Sequence, residues 1–187
     1  MKRDPRVLTP TLWRTARVLA GPVRLELLRR IARTPDLSVT DLAATLQLSH
    51  PRASQELRRL QARGLVQAVR GGRYVTYRPV PDPKVPSAKP LLTAARAALA
   101  KWPDEETVCV AQAFGHDRRL KIVRALRAGA QPAMALQRMA DMPEIALYRH
   151  LRVLQEAAVV RRTKRGWELA PTRHPLAKAL QQLLAQA

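Results

Sequence analysis

Leu37-Ser-Val-Thr-Asp-Leu-Ala-Ala-Thr-Leu-Gln-Leu-Ser-His-Pro-Arg-Ala-Ser-Gln-Glu-Leu-Arg-Arg-Leu-Gln-Ala-Arg-Gly-Leu-Val66, followed by Arg-Gly-Gly-Arg at 70–73, is the stretch that decides the fold. Ser38 with Asp41 three residues on is a capping-box start, and predicts a short helix from Val39 to Leu46. Ser49 caps a second helix, His50 to Arg63. Gly64 is placed to end it in the left-handed conformation. Strands are expected at Leu65–Arg70 and Arg73–Pro79, joined by Gly71-Gly72 as a two-residue turn. Helix, tight turn, helix and hairpin in that order predict a winged helix-turn-helix, whose second helix is offered to the DNA major groove.

Upstream, Pro10–Ala20 reads as a helix capped by Thr9, and Val23–Ala32 as another with Leu25, Leu28 and Ile31 on one face. Downstream, five of the 15 prolines fall in residues 79–90, which read as an extended connector. Beyond it the pattern returns. A shift of 94 residues places Leu42 on Leu136, Leu57 on Leu151, Leu60 on Leu154, Val66 on Val160 and Gly72 on Gly166. A shift of 95 places Arg24-Leu25 on Arg119-Leu120. Two diverged copies of one module are read. Helices are expected at Leu91–Trp102, Asp104–Phe114, Asp117–Ala128, Ala133–Ala140, Met142–Ala157 (capped by Asp141, with Glu144 reaching back) and Pro175–Gln186. A second hairpin is expected at Val159–Leu169. The fold class is thus mostly α with short β-hairpins, two winged helix-turn-helix domains in tandem. Residues 1–80 form the DNA-reading domain, 81–90 a Pro-rich linker, and 91–187 a connecting helix, a diverged second domain and a terminal helix.

Composition agrees. The 187 residues carry 34 Lys+Arg against 14 Asp+Glu, a net charge of +20, split +12 and +8 between residues 1–90 and 91–187. A field of that sign gathers polyanions. Aromatic residues are only 4% of a chain that is 47% hydrophobic, which favours Leu- and Ala-rich helical cores. The single cysteine, Cys109, allows no internal disulfide. No apolar run approaches the roughly 18 residues of a membrane span, and Lys2, Arg3 and Arg6 are followed by no signal-peptide core. A cytoplasmic location without membrane contact follows by elimination.

The second helix of the first motif buries Ala53, Leu57, Leu60 and Gly64. His50, Pro51, Arg52, Ser54, Gln55, Arg58 and Arg59 then lie on its first turn and outer face. Arg52 and Gln55 have the donor geometry for guanine and adenine edges, with His50 and Ser54 assisting. Arg58 and Arg59 suit phosphates. Glu56 would repel phosphate unless an arginine pairs with it or it tilts away. The hairpin adds Arg70, Arg73 (placed for a narrow minor groove), Thr76 and Arg78. In the second copy Ser54 becomes Tyr148 and Pro51 becomes Ile145, so base reading is not expected there. Arg161, Arg162, Lys164 and Arg165 remain for backbone contacts, and Ile145 with Tyr148 could instead meet a protein.

Leu19-Ala-Gly-Pro-Val-Arg-Leu-Glu-Leu-Leu28, Leu37-Ser-Val-Thr-Asp-Leu-Ala43, Leu48-Ser49 with Ser54, Leu57 and Leu60, and Gly64-Leu-Val66 with the Gly-Gly-Arg wing resemble the ArsR/SmtB family of bacterial winged-helix repressors. The resemblance covers about 70 residues and implies a dimeric repressor released by a signal. Metal-sensing members place Cys-x-Cys where this chain has Ser38 and Thr40. Another family site uses Asp and His on the helix after the wing, and Leu91–Trp102 contains no His. No cofactor or metal is therefore expected. Partners are double-stranded DNA and either a second copy or, through the duplication, an intrachain pseudo-dimer; the effector is unknown. The alternative is an architectural or scaffold protein that binds DNA non-specifically or bridges protein partners. No nucleophilic triad, phosphate-cradling loop or metal cluster points to an enzyme.

Overall fold

The computed structural model describes residues 11–71 and 74–186. The first half consists of α1 (Leu12–Leu19), α2 (Pro22–Arg33), α3 (Val39–Thr45), α4 (His50–Gln61), β1 (Gln67–Gly71) and β2 (Tyr74–Arg78). Ser38 makes the full capping box: its Oγ accepts from the Asp41 N–H, and the Asp41 carboxylate accepts from the Ser38 N–H, both at 3.1 Å. Ser49 Oγ accepts from the Arg52 N–H at 3.4 Å. The antiparallel ladder of β1 and β2 runs to the pair Gly71↔Tyr74, one residue beyond expectation. Thr9, Pro10, Gly72 and Arg73 lie outside the described residues. Thr11, not Thr9, occupies the cap position of α1, and its side chain makes no capping hydrogen bond.

Gly64 has φ +68, as its place after α4 requires. Its carbonyl accepts from the Asp82 N–H at 2.9 Å, and an added Cβ would lie 3.0 Å from the Cβ atoms of Asp82 and Val85. The proline-rich connector is thus folded back onto the end of α4. It is also shorter than its composition suggests, because α5 (Ala88–Lys101) starts before Pro90. A proline in the first turn removes an N–H that would have no intrahelical partner, so the helix loses nothing there.

The second half follows as α6 (Asp104–Phe114), α7 (Asp117–Ala125) ending in a 3-10 turn (Leu126–Ala128), α8 (Ala133–Ala140), α9 (Glu144–Glu156), β3 (Val160–Thr163), β4 (Gly166–Leu169) and α10 (Pro175–Gln186). One expectation fails here. Asp141 does not cap α9; it ends α8 in the left-handed region at φ 49. Met142 precedes a proline and is driven out of the helical region, so α9 can begin only after Pro143, with no side-chain cap from Asp141 or Glu144.

A single apolar cluster runs through both halves. Leu19, Leu25, Leu28, Ile31, Leu42, Leu57, Leu60 and Leu65 are fully buried on one side; Phe114, Ile122, Leu136, Leu147, Leu151 and Leu154 are on the other. Residues 11–80 meet the rest chiefly through α1 against α6, and α5 packs on α10. Gly115 permits the first of these approaches: a Cβ there would stand 3.1 Å from Arg17 Cβ.

Ala158, at the position corresponding to Gly64, also has positive φ, +50. A left-handed alanine carries about 1 kcal/mol of strain that glycine lacks, partly offset by glycine's greater freedom in the unfolded chain. Ala158→Gly is therefore expected to raise stability by about 0.5 kcal/mol, read as a higher urea midpoint at unchanged slope. A lower midpoint would contradict it.

Candidate nucleic-acid interface

The two faces of α4 divide as its sequence dictates. Ala53, Leu57 and Leu60 are fully buried against α2 and α3. His50, Pro51, Arg52, Gln55, Arg58 and Arg59 are exposed, and Ser54 is half-buried. The first turn of α4 therefore offers a histidine and an arginine to the outside, the arrangement a groove-reading helix needs, while its N–H groups are largely taken: Pro51 has none and Ser49 accepts that of Arg52.

Glu56 is the exception on this helix. It is 9% exposed and held by two guanidinium groups. Arg24 of α2 donates Nη1 to Oε2 at 2.7 Å, and Arg59 donates Nη1 to Oε1 at 2.8 Å. Burial alone would raise the Glu56 pKa, but the two arginines outweigh it and hold the carboxyl below its ordinary value. The acid that would repel phosphate is thus neutralised from within. The same pair draws on Arg59, leaving Arg58 as the α4 arginine in the last turn with no ion-pair partner among the described residues. Arg24 has a second task, donating Nε to the Val18 carbonyl at the end of α1.

The wing stands beside this face. Arg70 is exposed on β1. Thr76 is half-buried; its backbone bridges Ser38, and its hydroxyl donates to the Val69 carbonyl at 3.5 Å, so it is less available than the sequence suggested. Arg78 closes on Asp36 through Nε–Oδ1 at 2.5 Å and Nη2–Oδ2 at 3.0 Å, tying β2 to the loop before α3. The Arg78 hydrogen bonds hold the exposed Asp36 carboxyl below its usual range. Between α3, α4 and the hairpin lies an open cleft of about 640 Å³, lined by Ser38, His50, Ser54, Arg58, Arg70 and Tyr74 among others. Residues far apart in sequence thus share one cationic concavity. Arg73 lies outside the described residues.

The corresponding face of α9 is different. Ile145 is 71% exposed and Tyr148 42%. Arg161 is paired with Glu168 across its own hairpin at 2.6 Å, which lowers its value for phosphate, whereas Arg162, Lys164 and Arg165 are exposed. Two features were missed in the sequence. His116 and His150, 34 positions apart, meet with ring centroids 4.8 Å apart. Arg119 donates Nε to the Ala113 carbonyl at 2.7 Å, repeating in α7 and α6 what Arg24 does in α2 and α1. The Arg24/Arg119 match in the aligned halves was the signal for this second feature. Among the described residues no group of three or more His, Cys, Asp or Glu could hold a metal ion, and no helix is long and apolar enough to cross a membrane.

A model of the MarR family matches residues 21–73. The arsenic resistance transcriptional regulator ArsR1 of Pseudomonas putida is 34% identical over 76 residues, covering 41% of this chain and 58% of that protein. The chain thus spans a little over half the length of that relative. No solved structure matches. Capped α3, outward-facing α4, hairpin and family match coincide over the same residues, and the segment from Gly21 to the wing is a winged helix-turn-helix that is similar to the MarR family and to an ArsR transcriptional regulator.

Proposed function

We propose that the chain is a cytoplasmic DNA-binding transcriptional regulator, acting as a repressor, that lays α4 in a major groove and its wing along the flanking backbone or minor groove. The observation that carries this is the cleft where His50, Ser54 and Arg58 of α4 face Arg70 of the wing, beside exposed Arg52 and Gln55. Arg52 and Gln55 read bases. Arg58 and Arg70, with Arg59 in part, take phosphates. Arg162, Lys164 and Arg165 add sequence-independent attraction from the second wing.

The second half is read as a duplicated winged module docked on the first, so that one chain forms a pseudo-dimer. Three observations support this. The elements recur in order from α1–β2 to α6–β4. Corresponding helices pair with each other, α1 with α6 and α5 with α10, as the two subunits of an isologous dimer would. Arg24 and Arg119 perform the same carbonyl-capping task six residues downstream of their acceptors.

Selection from random duplex DNA tests the function: an enriched motif is expected, and a flat outcome favours a scaffold that binds DNA non-specifically. Arg52→Ala or Gln55→Ala should then lower preference at one base pair by about ten-fold. Arg58→Ala should weaken all duplexes alike and reduce the log-log salt slope by about 0.9. Uniform weakening by Arg52→Ala and Gln55→Ala would remove them as base readers.

A further inference from the structure

A largely apolar concavity lies in the second half, away from α4. It has a volume of about 530 Å³ and sits where the end of α5, the first turns of α6, the end of α9 and the 171–174 segment meet. That is the size of a drug-like ligand site. Val110 and Ala158 form part of its apolar wall, with Trp102 and the half-buried Cys109.

Its charge runs against the rest of the chain. Glu105, Glu106 and Glu156 line it, opposed only by Arg173 among the lining residues, in a protein of net charge +20. The helix dipole accounts for acids in the first turn of α6. It does not account for Glu156, which stands at the unfavourable end of α9 and is paired there with Arg152 at 2.8 Å. Nor does the repeat: at a shift of 94 these three acids fall on Thr11, Leu12 and Ala62, so the acidic rim belongs to this half alone.

A second observation concerns His174, which also lines the pocket and is 3% exposed. Its ring leans on Trp102 with centroids 4.8 Å apart. Thr107 Oγ1 lies 3.3 Å from both the Pro103 carbonyl oxygen and His174 Nε2. With the hydroxyl proton directed to Pro103, Nε2 carries the ring proton and the buried Nδ1, which has no partner among the described residues, is an acceptor. Burial holds the imidazole pKa down, which keeps the ring neutral at pH 7. Buried acceptors are rarely left unmatched, and this one adjoins an aromatic wall and a carboxylate rim.

We propose that this pocket binds a small organic cation: a protonated amine on a flat aromatic body. The body would stack on Trp102, whose ring face also attracts positive charge. The ammonium would sit against Glu105 and Glu106, Glu156 being already paired with Arg152, and its N–H groups match an acceptor at His174 Nδ1. The site lies at the end of α9, so ligand binding acts on the second module. Its service as an effector rests on the DNA-binding reading above, but the binding itself does not.

The experiment uses the full chain without DNA. Cys109, the only cysteine and a lining residue, is alkylated with iodoacetamide, and its rate is followed by intact mass. Tryptamine, tryptophol and indole-3-acetate present one ring system with positive, neutral and negative tails. Tryptamine should slow alkylation saturably, tryptophol more weakly, and indole-3-acetate not at all. Glu105→Gln with Glu106→Gln should raise the tryptamine half-saturation concentration by about ten-fold, while the urea midpoint falls only slightly through the lost helix-dipole interactions and the cooperative transition is kept. Calorimetric titration of tryptamine gives a second reading that does not need Cys109 to react. Equal protection by indole-3-acetate, no shift in the double variant, or neither protection nor heat at millimolar tryptamine would overturn the proposal. A flat duplex selection, by contrast, would leave it standing and remove only the regulator.

Discussion

Glu56→Ala is expected to destabilise the protein by about 2–3 kcal/mol. The carboxylate is the common partner of Arg24 and Arg59, and its side chain and that of Arg24 are only 12% and 17% exposed. Removing it leaves the Arg24 guanidinium largely out of water with one backbone carbonyl, Val18, as its remaining partner. Breaking a buried pair from one side costs more than the pair itself contributes, because an uncompensated charge stays behind. Arg59 is 49% exposed and adds little to that loss. Glu56→Gln keeps an acceptor in place and should cost about 1 kcal/mol. The pH dependence separates charge from packing. The folded carboxyl is held below its ordinary value, so its stabilisation is complete above about pH 4.3, the usual value for glutamate. It is lost as pH falls through the lower folded value. Urea unfolding should therefore show the gap between wild type and Glu56→Gln constant near neutrality and shrinking below about pH 4. A gap of the same size at pH 3 would show that the ion pairs are not its source.

Gly166→Ala is expected to cost about 3 kcal/mol or more. Gly166 opens β4 at φ +116, a conformation side chains rarely adopt. A Cβ would come within 2.3 Å of the Gln131 carbonyl oxygen and 2.7 Å of its carbon. Both are backbone atoms, so no side-chain rotation relieves the clash. The neighbouring bridge would have to open: Gln131 N–H donates to the Trp167 carbonyl and Trp167 N–H to the Gln131 carbonyl, both at 2.8 Å. That bridge stitches the segment before α8 to the second wing. Gly129 is the control. It has φ +123 but open space where its Cβ would go, so Gly129→Ala carries backbone strain alone, about 1–2 kcal/mol. The urea midpoints should rank Gly166→Ala well below Gly129→Ala, and equal losses would mean that strain, not the clash, decides. Because one apolar cluster crosses both halves, the loss should be felt in a single transition and not confined to the second half.

Much of the candidate interface was legible because it depends on neighbours in sequence. The capping box needs Ser38 and Asp41 three residues apart, and the buried stripe of α4 needs Ala53, Leu57 and Leu60 at helical spacing. Both are local, so residue identity determines them. The misreading of Asp141 shows the limit of local rules: it has a cap's chemistry, but Pro143 sets where α9 can start. The connector shows another, since its prolines suggested an extended spacer while the approach of Asp82 and Val85 to Gly64 folds it back.

The sequence by itself determined the order of helices and hairpins, the inward and outward faces of α4 and the excess of positive charge, because spacing and composition act over a turn or a strand. Only the tertiary structure decided that Glu56 is held by Arg24 from 32 positions away, that Arg58 and Arg70 share a cleft, that His116 meets His150, and that α1 rests on α6. Those placements follow from how the helices bury their apolar faces together. That is settled by the summed packing of one core and not by any stretch of chain alone.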